Sequence, residues 1–130
     1  MSKETITALL WLLPAVLLST TGELFLKRGM NQVGVLDFAG PNFMPTVVRM
    51  ALNVNIWLGF IGFMGGSVFW LSVISRVPLS FAYPMLGLNY VIIAVESWIF
   101  LGEGLNTMTV AGALVVGAGV AMVGLSGAAK

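Results

Sequence analysis

Four long apolar stretches divide this sequence, and they decide what it can fold into. They cover roughly residues 5–28, 54–75, 79–101 and 106–126. Each is long enough to cross a bilayer as a helix, which takes about 20 mostly apolar residues. Hydrophobic residues make up 58% of the chain and charged residues only 8%, a composition far from that of ordinary soluble domains. The sequence therefore predicts an all-α membrane protein with four transmembrane helices.

The connections between these spans are short, except for the first. That first loop contains four glycines and prolines that interrupt regular structure, followed by the amphipathic run "TVVRMALN". This run either lies in the membrane interface or extends the second span by two turns. The two later turns are so short that spans two to four must run up, down and up. We expect residues 1–130 to form a single four-helix transmembrane domain, with no separate soluble catalytic domain.

The composition argues against several classes of function. The net charge is only +1 and the cations are scattered, which argues against binding of nucleic acid. The sequence contains no histidine and no cysteine, and no nucleophile stands beside a base. We therefore expect no metal site, no cofactor and no enzymatic activity.

Two acids lie inside the apolar spans, where a charge costs about 2.5–3.5 kcal/mol on insertion scales. Glu23 and Glu96 fall near the same side of the membrane, because one hairpin returns the chain between them. Ser19, Glu23 and Lys27 form a stripe with a spacing of four residues along span one. Glu96 has no basic residue within four positions, so it is protonated, faces water or meets a partner from another helix. Asn89 lies seven residues before it, on nearly the same helical face.

Each of these residues also has a simpler explanation. Lys27 and Arg28 end span one and could merely extend towards the interface, with Glu23 as the local partner of Lys27. Tyr83 could be an interfacial anchor rather than part of a groove. The functional interpretation is a polar path that leads from the middle of the bilayer to its surface. Its candidate substrate-binding residues are Ser19, Glu23, Lys27, Arg28, Tyr83, Asn89 and Glu96.

Small residues recur every four positions in span four, at Ala113, Gly117 and Ala121. Such a stripe lets another helix approach closely, so we predict it as a dimer interface. Gly62 and Gly66 of span two form a second, less distinctive pair of this kind. Since four helices make only a thin wall around any substrate, we expect at least a dimer.

The basic residues do not fix an orientation in the membrane. Three fall on each side: Lys3, Arg76 and Lys130 on one, and Lys27, Arg28 and Arg49 on the other. Either the chain inserts both ways round and pairs with itself as an antiparallel dimer, or a companion subunit sets its orientation.

Residues 75–124 resemble the four-helix members of the drug/metabolite transporter, or EamA-like, superfamily. The resemblance rests on "PLSFAYPML", on the turn "LGEGL" and on the glycine-rich last span, and it covers spans two to four well and span one loosely. Among these proteins the chain is most similar to the subunits that flip aminoarabinose linked to undecaprenyl phosphate. The last span also matches the small multidrug resistance pattern, at Gly112, Val116, Gly119 and Val120.

One position separates these two groups of relatives. In the small multidrug resistance proteins an essential carboxylate lies eight residues before the lysine that ends span one, and Ser19 occupies that position here. In the lipid-carrier relatives a polar residue, commonly an amide, is expected at the position of Glu23. The departure at Ser19 therefore favours the lipid carriers.

The resemblance implies a bacterial inner-membrane flippase that works by alternating access in a dimer. Its substrate would be an amphiphile such as a polyprenyl-phosphate-linked sugar, with cations binding the phosphate and Glu96 or Glu23 binding an amino or hydroxyl group or a proton. The partner would be a second copy or a related four-helix subunit. Two alternatives stay open: a proton-coupled exporter of organic cations, and a membrane scaffold subunit that transports nothing.

Overall fold

The computed structural model describes residues 3–126, which form six helices and no strand. Lys130, counted above in the charge balance, lies outside the described residues. Four spans are long and apolar enough to cross a membrane: one each in α1, α3 and α6, and one formed by α4 and α5 together. The predicted all-helical membrane fold is confirmed. The helices are α1 (Lys3–Val33), α2 (Phe43–Ala51), α3 (Val54–Ile74), α4 (Leu79–Met85), α5 (Gly87–Phe100) and α6 (Thr107–Ser126).

Helix α1 is longer than the sequence predicts. We expected span one to end at Arg28, but its 31 residues continue to Val33, a length of about 46 Å. Gly29 follows Arg28 but stays within the helix, where it packs against Ile56, and α1 ends only before Gly34. That glycine has a φ of 108°, which few other residues adopt, and its N–H donates to the carbonyl of Met30 at 2.8 Å. Lys27 and Arg28 therefore lie on regular helix rather than at its frayed end.

The amphipathic run of the first loop forms a helix of its own, α2. The backbone becomes extended at Asn53, with φ −90° and ψ 121°, so α2 does not continue into α3. The side-chain oxygen of Asn53 instead accepts hydrogen bonds from the N–H groups of Asn55 and Ile56 and caps α3. The alternative that the run extends span two is therefore wrong, whereas its interfacial position stays a prediction.

The third span is divided into α4 and α5 at Leu86, a break that the sequence analysis did not place. Pro84 has no N–H, so it cannot donate to the carbonyl one turn earlier. Beyond it the backbone tightens, since the N–H of Leu86 donates to Tyr83 and the N–H of Asn89 donates to Leu86, both at 2.9 Å. The two halves of the span are thus separate segments that meet at one residue.

Glycines bring the backbones of α1 and α3 together. A Cβ at Gly22 would lie 2.6 Å from the backbone nitrogen of Phe63, and one at Gly66 would lie 2.9 Å from the carbonyl oxygen of Ala15. A Cβ at Gly62 would lie 3.2 Å from the Cα of Gly22. The Gly62 and Gly66 pair, considered above for contact between protomers, therefore packs inside the chain.

The cluster of buried apolar residues that we call the core lies at one end of the bundle, where α3 turns into α4. We call this the packed end. Glu4 and Arg76 form an ion pair of 3.5 Å at the same end. The opposite, polar end holds Glu23, Lys27 and Glu96, and α5 contributes no buried residue there. The core residues are Ala8, Leu12, Val16, Val73, Val77, Phe81, Ala82, Met85 and Val120.

Candidate functional site between α1 and α5

A groove lies between α1 and α5 at the polar end, and we call it the Arg28 groove. Its volume is ≈ 380 Å³, within the range of small-molecule sites. The guanidinium carbon of Arg28 lies 6.0 Å from the centroid of the Phe25 ring, a cation–π distance that favours a fixed orientation of the charge. The lining residues are Thr21, Leu24, Phe25, Arg28, Glu96 and Phe100.

Glu96 enters this groove with only part of its hydrogen-bonding capacity used. The hydroxyl of Thr21 donates to Oε1 of Glu96 at 3.4 Å. Its other oxygen, Oε2, is buried and has no hydrogen-bond partner. No ion pair joins Glu96 to Lys27 or Arg28 within residues 3–126. The sequence left open whether Glu96 meets a partner from another helix. That partner is the hydroxyl group of Thr21, which carries no charge and does not neutralise the acid.

A second groove lies on the other side of Leu24, a residue that lines both. This Lys27 groove has a volume of ≈ 310 Å³. In the described part of the chain no ion pair links Glu23 and Lys27, so their spacing of one turn does not bring their charged groups together. The lining residues are Glu23, Leu24, Lys27, Ile93, Ser97, Leu101 and Glu103.

The third groove lies deeper, beside the break between α4 and α5, and we call it the Asn89 groove. It has a volume of ≈ 190 Å³ and is mostly apolar. Ser19 and Ser67, which line it, donate to carbonyls of their own helices at 3.1 and 3.0 Å. The side-chain oxygen of Asn89 is buried without a partner. The Asn89 groove therefore contains a buried hydrogen-bond acceptor, Oδ1 of Asn89, that could accept a bond from a ligand.

The grooves contain six of the seven candidate substrate-binding residues. Tyr83 is the exception, because its ring is exposed and packs edge-on against Trp70 at 6.1 Å. Trp70 itself lines the Asn89 groove, so Tyr83 lies next to that groove and not in it. Whether these residues bind a substrate stays a prediction.

The sequence analysis missed Thr21, Phe25 and Phe100. Thr21, Phe25 and Arg28 follow one another at spacings of four and three, and so form a stripe beside the one that starts at Ser19. Phe100 lies four residues after Glu96. Residues three, four or seven positions from Arg28 and Glu96 share their helical faces. A search at these spacings would have found Thr21, Phe25 and Phe100.

The residues of the predicted dimer stripe on α6 do not share one environment, because two of them face α5 and the third is exposed. Ala113 lines a groove with α5, and a Cβ at Gly117 would lie 3.9 Å from Val91 of that helix. Ala121 is exposed. On the rest of α6, a Cβ at Gly112 or Gly119 would meet nothing within 4 Å. The use of Ala113, Gly117 and Ala121 between protomers stays a prediction.

Comparison with known proteins identifies several flippase subunits as relatives. A protein of Erwinia tasmaniensis named "Probable 4-amino-4-deoxy-L-arabinose-phosphoundecaprenol flippase subunit ArnF" is 32% identical over 119 residues, which cover 90% of each chain. The subunit of that name from Proteus mirabilis is 29% identical over 92 residues, 67% of each chain.

The corresponding subunit ArnE of Pseudomonas fluorescens is 39% identical over 69 residues. Those residues are 53% of this chain and 60% of that protein, so the match spans less than two thirds of its length. No solved structure matches the chain. A model of the EamA-like transporter family matches residues 6–125, nearly the whole sequence. The chain is therefore a multi-pass membrane protein that belongs to the EamA-like transporter family.

Proposed function

We propose that this protein is a subunit of a flippase in the bacterial inner membrane that moves an undecaprenyl-phosphate-linked amino sugar between leaflets. The observation that carries the proposal is the similarity to the Erwinia tasmaniensis flippase subunit, which extends over 90% of both chains. The resemblance thus includes the residues of α1 and α5 that line the grooves, and not only the glycine-rich last helix.

The geometry of the grooves supports a substrate with a charged headgroup and an apolar tail. The Arg28 groove combines a guanidinium and a carboxyl group with the rings of Phe25 and Phe100. Arginine binds phosphate through two parallel hydrogen bonds, which suits the phosphate that joins such a sugar to its lipid. The headgroup would pass through the polar grooves while the lipid tail stays in the bilayer.

Helix α5 is suited to be the moving element of alternating access. It carries Asn89 and Glu96, contributes no buried residue and borders all three grooves described above. Helix α4, in contrast, buries Phe81, Ala82 and Met85 in the core. A rotation at Leu86 would therefore move the polar side chains while the packed end stays in place.

One chain leaves these grooves open on one side, so we propose that a second subunit closes them. The partner would be another copy, in antiparallel orientation, or a related four-helix subunit. The names of the relatives, which call each protein a subunit, support an assembly of this kind.

Reconstitution into liposomes tests the proposal. Undecaprenyl-phosphate-linked 4-amino-4-deoxy-arabinose is placed in both leaflets, and a membrane-impermeant amine reagent is added outside. We expect the protein, alone or with a related subunit, to expose the inner leaflet's share of the lipid to the reagent. Arg28→Gln should reduce labelling strongly, whereas Arg49→Gln, which removes a cation of the same side from exposed helix α2, should not.

The two alternative functions give different results in the same preparation. Without labelling of the inner lipid, binding of quaternary ammonium compounds with release of protons would indicate a proton-coupled exporter. If neither transport nor any ligand-dependent change occurred, the protein would be a scaffold subunit.

A further inference from the structure

Each of the two grooves at the polar end combines one cation with acidic side chains, one acid in the Arg28 groove and two, Glu23 and Glu103, in the Lys27 groove. The grooves also differ in how those charges are held. In the Arg28 groove the guanidinium lies beside the Phe25 ring, and the carboxyl group of Glu96 is held through Oε1 by Thr21. In the Lys27 groove no side-chain hydrogen bond or ion pair of the described residues holds Glu23 or Lys27, and Lys27 is exposed. Only the first groove has its charged groups positioned before any ligand arrives.

The unsatisfied oxygen of Glu96 indicates what that groove lacks. A buried acceptor without a donor is costly, and such groups in native proteins usually have a partner. In residues 3–126 only two buried side-chain oxygens lack one, and Oε2 of Glu96 is the only carboxyl oxygen of the two. An ammonium group would supply both the missing hydrogen bond and the opposite charge.

We propose that the Arg28 groove is the specific site for the amine of a headgroup that carries both an amine and a phosphate. Glu96 binds the amine, Arg28 binds the phosphate, and Thr21 positions the carboxyl group. Glu23 and Lys27 do not distinguish an amine from a neutral group. This assignment rests on the proposed function and goes beyond it, because it states that Glu96, and not Glu23, binds the amine of the headgroup.

Equilibrium binding in lipid nanodiscs tests the assignment with two probes. One is undecaprenyl-phosphate-linked 4-amino-4-deoxy-arabinose, and the other is the same lipid with its amine acetylated, which removes the charge and keeps the phosphate. We expect the wild type to bind the amine form at least about tenfold more tightly, as one charged hydrogen bond predicts. Glu96→Gln should abolish this preference and leave the affinity for the acetylated lipid unchanged.

Matched variants complete the test. Glu23→Gln should keep the preference, Arg28→Gln should weaken the binding of both lipids, and Lys27→Gln should weaken them less than Arg28→Gln does. Thr21→Val, which removes only the hydroxyl, should reduce the preference without loss of the folded state, as judged from the melting temperature. This variant replaces Glu96→Gln if the latter does not fold.

The outcomes separate the assignment from the function on which it rests. If the wild type prefers the amine form and Glu96→Gln keeps that preference, or if Glu23→Gln removes it, the assignment is wrong and the flippase proposal stands. If the wild type binds neither lipid, alone or with a related subunit, both fail.

Discussion

Two residues of α5 stand apart because each has a buried oxygen with no hydrogen-bond partner. Asn89 and Glu96 lie seven residues apart, so they share a face of the helix. The sequence predicted this face, and it also indicated that Glu96 lacks a basic neighbour on its own helix. It could not identify Thr21 as the partner, because that contact depends on how α1 and α5 are aligned along their axes.

We expect Asn89→Leu to raise stability and lower transport. The substitution removes a polar oxygen that has no donor and places a side chain of similar size in a mostly apolar groove, so the gain should be about 1–3 kcal/mol. If Asn89 contacts the passing headgroup, the same change removes that contact and transport falls.

The melting temperature in detergent and the liposome assay measure the two effects. Ser67→Ala is a suitable control, because the Ser67 hydroxyl is already bonded to Phe63 and a small change in stability is expected. A lower melting temperature for Asn89→Leu would show that Asn89 has a structural partner, and its assignment to the substrate path would be wrong.

At the scale of helices, the sequence identified the four spans but did not show which of their glycines pack within the chain. Gly62 and Gly66 seemed less distinctive than the stripe on span four, yet Gly62 packs against Gly22 and Gly66 packs against Ala15 and Ser19 within the chain. A pattern of small residues shows that a helix can be approached closely, but it does not name the approaching helix. The break at Leu86 was missed because a membrane helix can continue through a proline such as Pro84, whose freed carbonyl then finds another partner.

This packing makes Gly22 sensitive to a single methyl group. A Cβ there would lie 2.6 and 2.7 Å from backbone atoms of α3, which cannot move aside as a flexible side chain can. We expect Gly22→Ala to destabilise the protein by about 1–3 kcal/mol, the usual cost of overpacking. Gly112→Ala is the control, since its Cβ would meet nothing within 4 Å, and alanine favours helix.

Thermal or denaturant unfolding in detergent measures both variants. An unchanged midpoint for Gly22→Ala would mean that α1 and α3 are farther apart than the structure shows. A large loss for Gly112→Ala would instead place a second protomer against that face of α6.

At the scale of the molecule, composition was sufficient to predict the fold class, because a chain with so many apolar residues cannot cover its surface with polar groups as a water-soluble domain does. The shape of the site was not predictable in the same way. Leu24 separates the polar end into two grooves, and a buried leucine in an apolar span carries no sequence signal that it divides charged residues. The sequence therefore predicted one polar path where the single chain contains separate grooves.

Orientation in the membrane is also a property of the whole molecule. Because three basic residues lie on each side, we expect the chain to insert both ways round when it is expressed alone. Reporters fused to its C-terminus should then be found on both sides. One or two lysines added to the first loop should make the orientation uniform, while the same number added after Arg76 should favour the opposite one. A reporter found on one side only, before any lysine is added, would contradict this expectation.

The position of the core at one end also sets the order in which the backbone opens to hydrogen exchange. Amides in α1 between Ala8 and Val16 are covered by side chains of α3, α4 and α6, so their exchange requires most of the bundle to separate. Helix α5 contributes no fully buried residue, so its amides are less covered and can open by smaller fluctuations. Slowly exchanging amides of α1 and faster exchanging amides of α5 should therefore be found in the same bundle, and a bound headgroup should slow exchange mainly in α5.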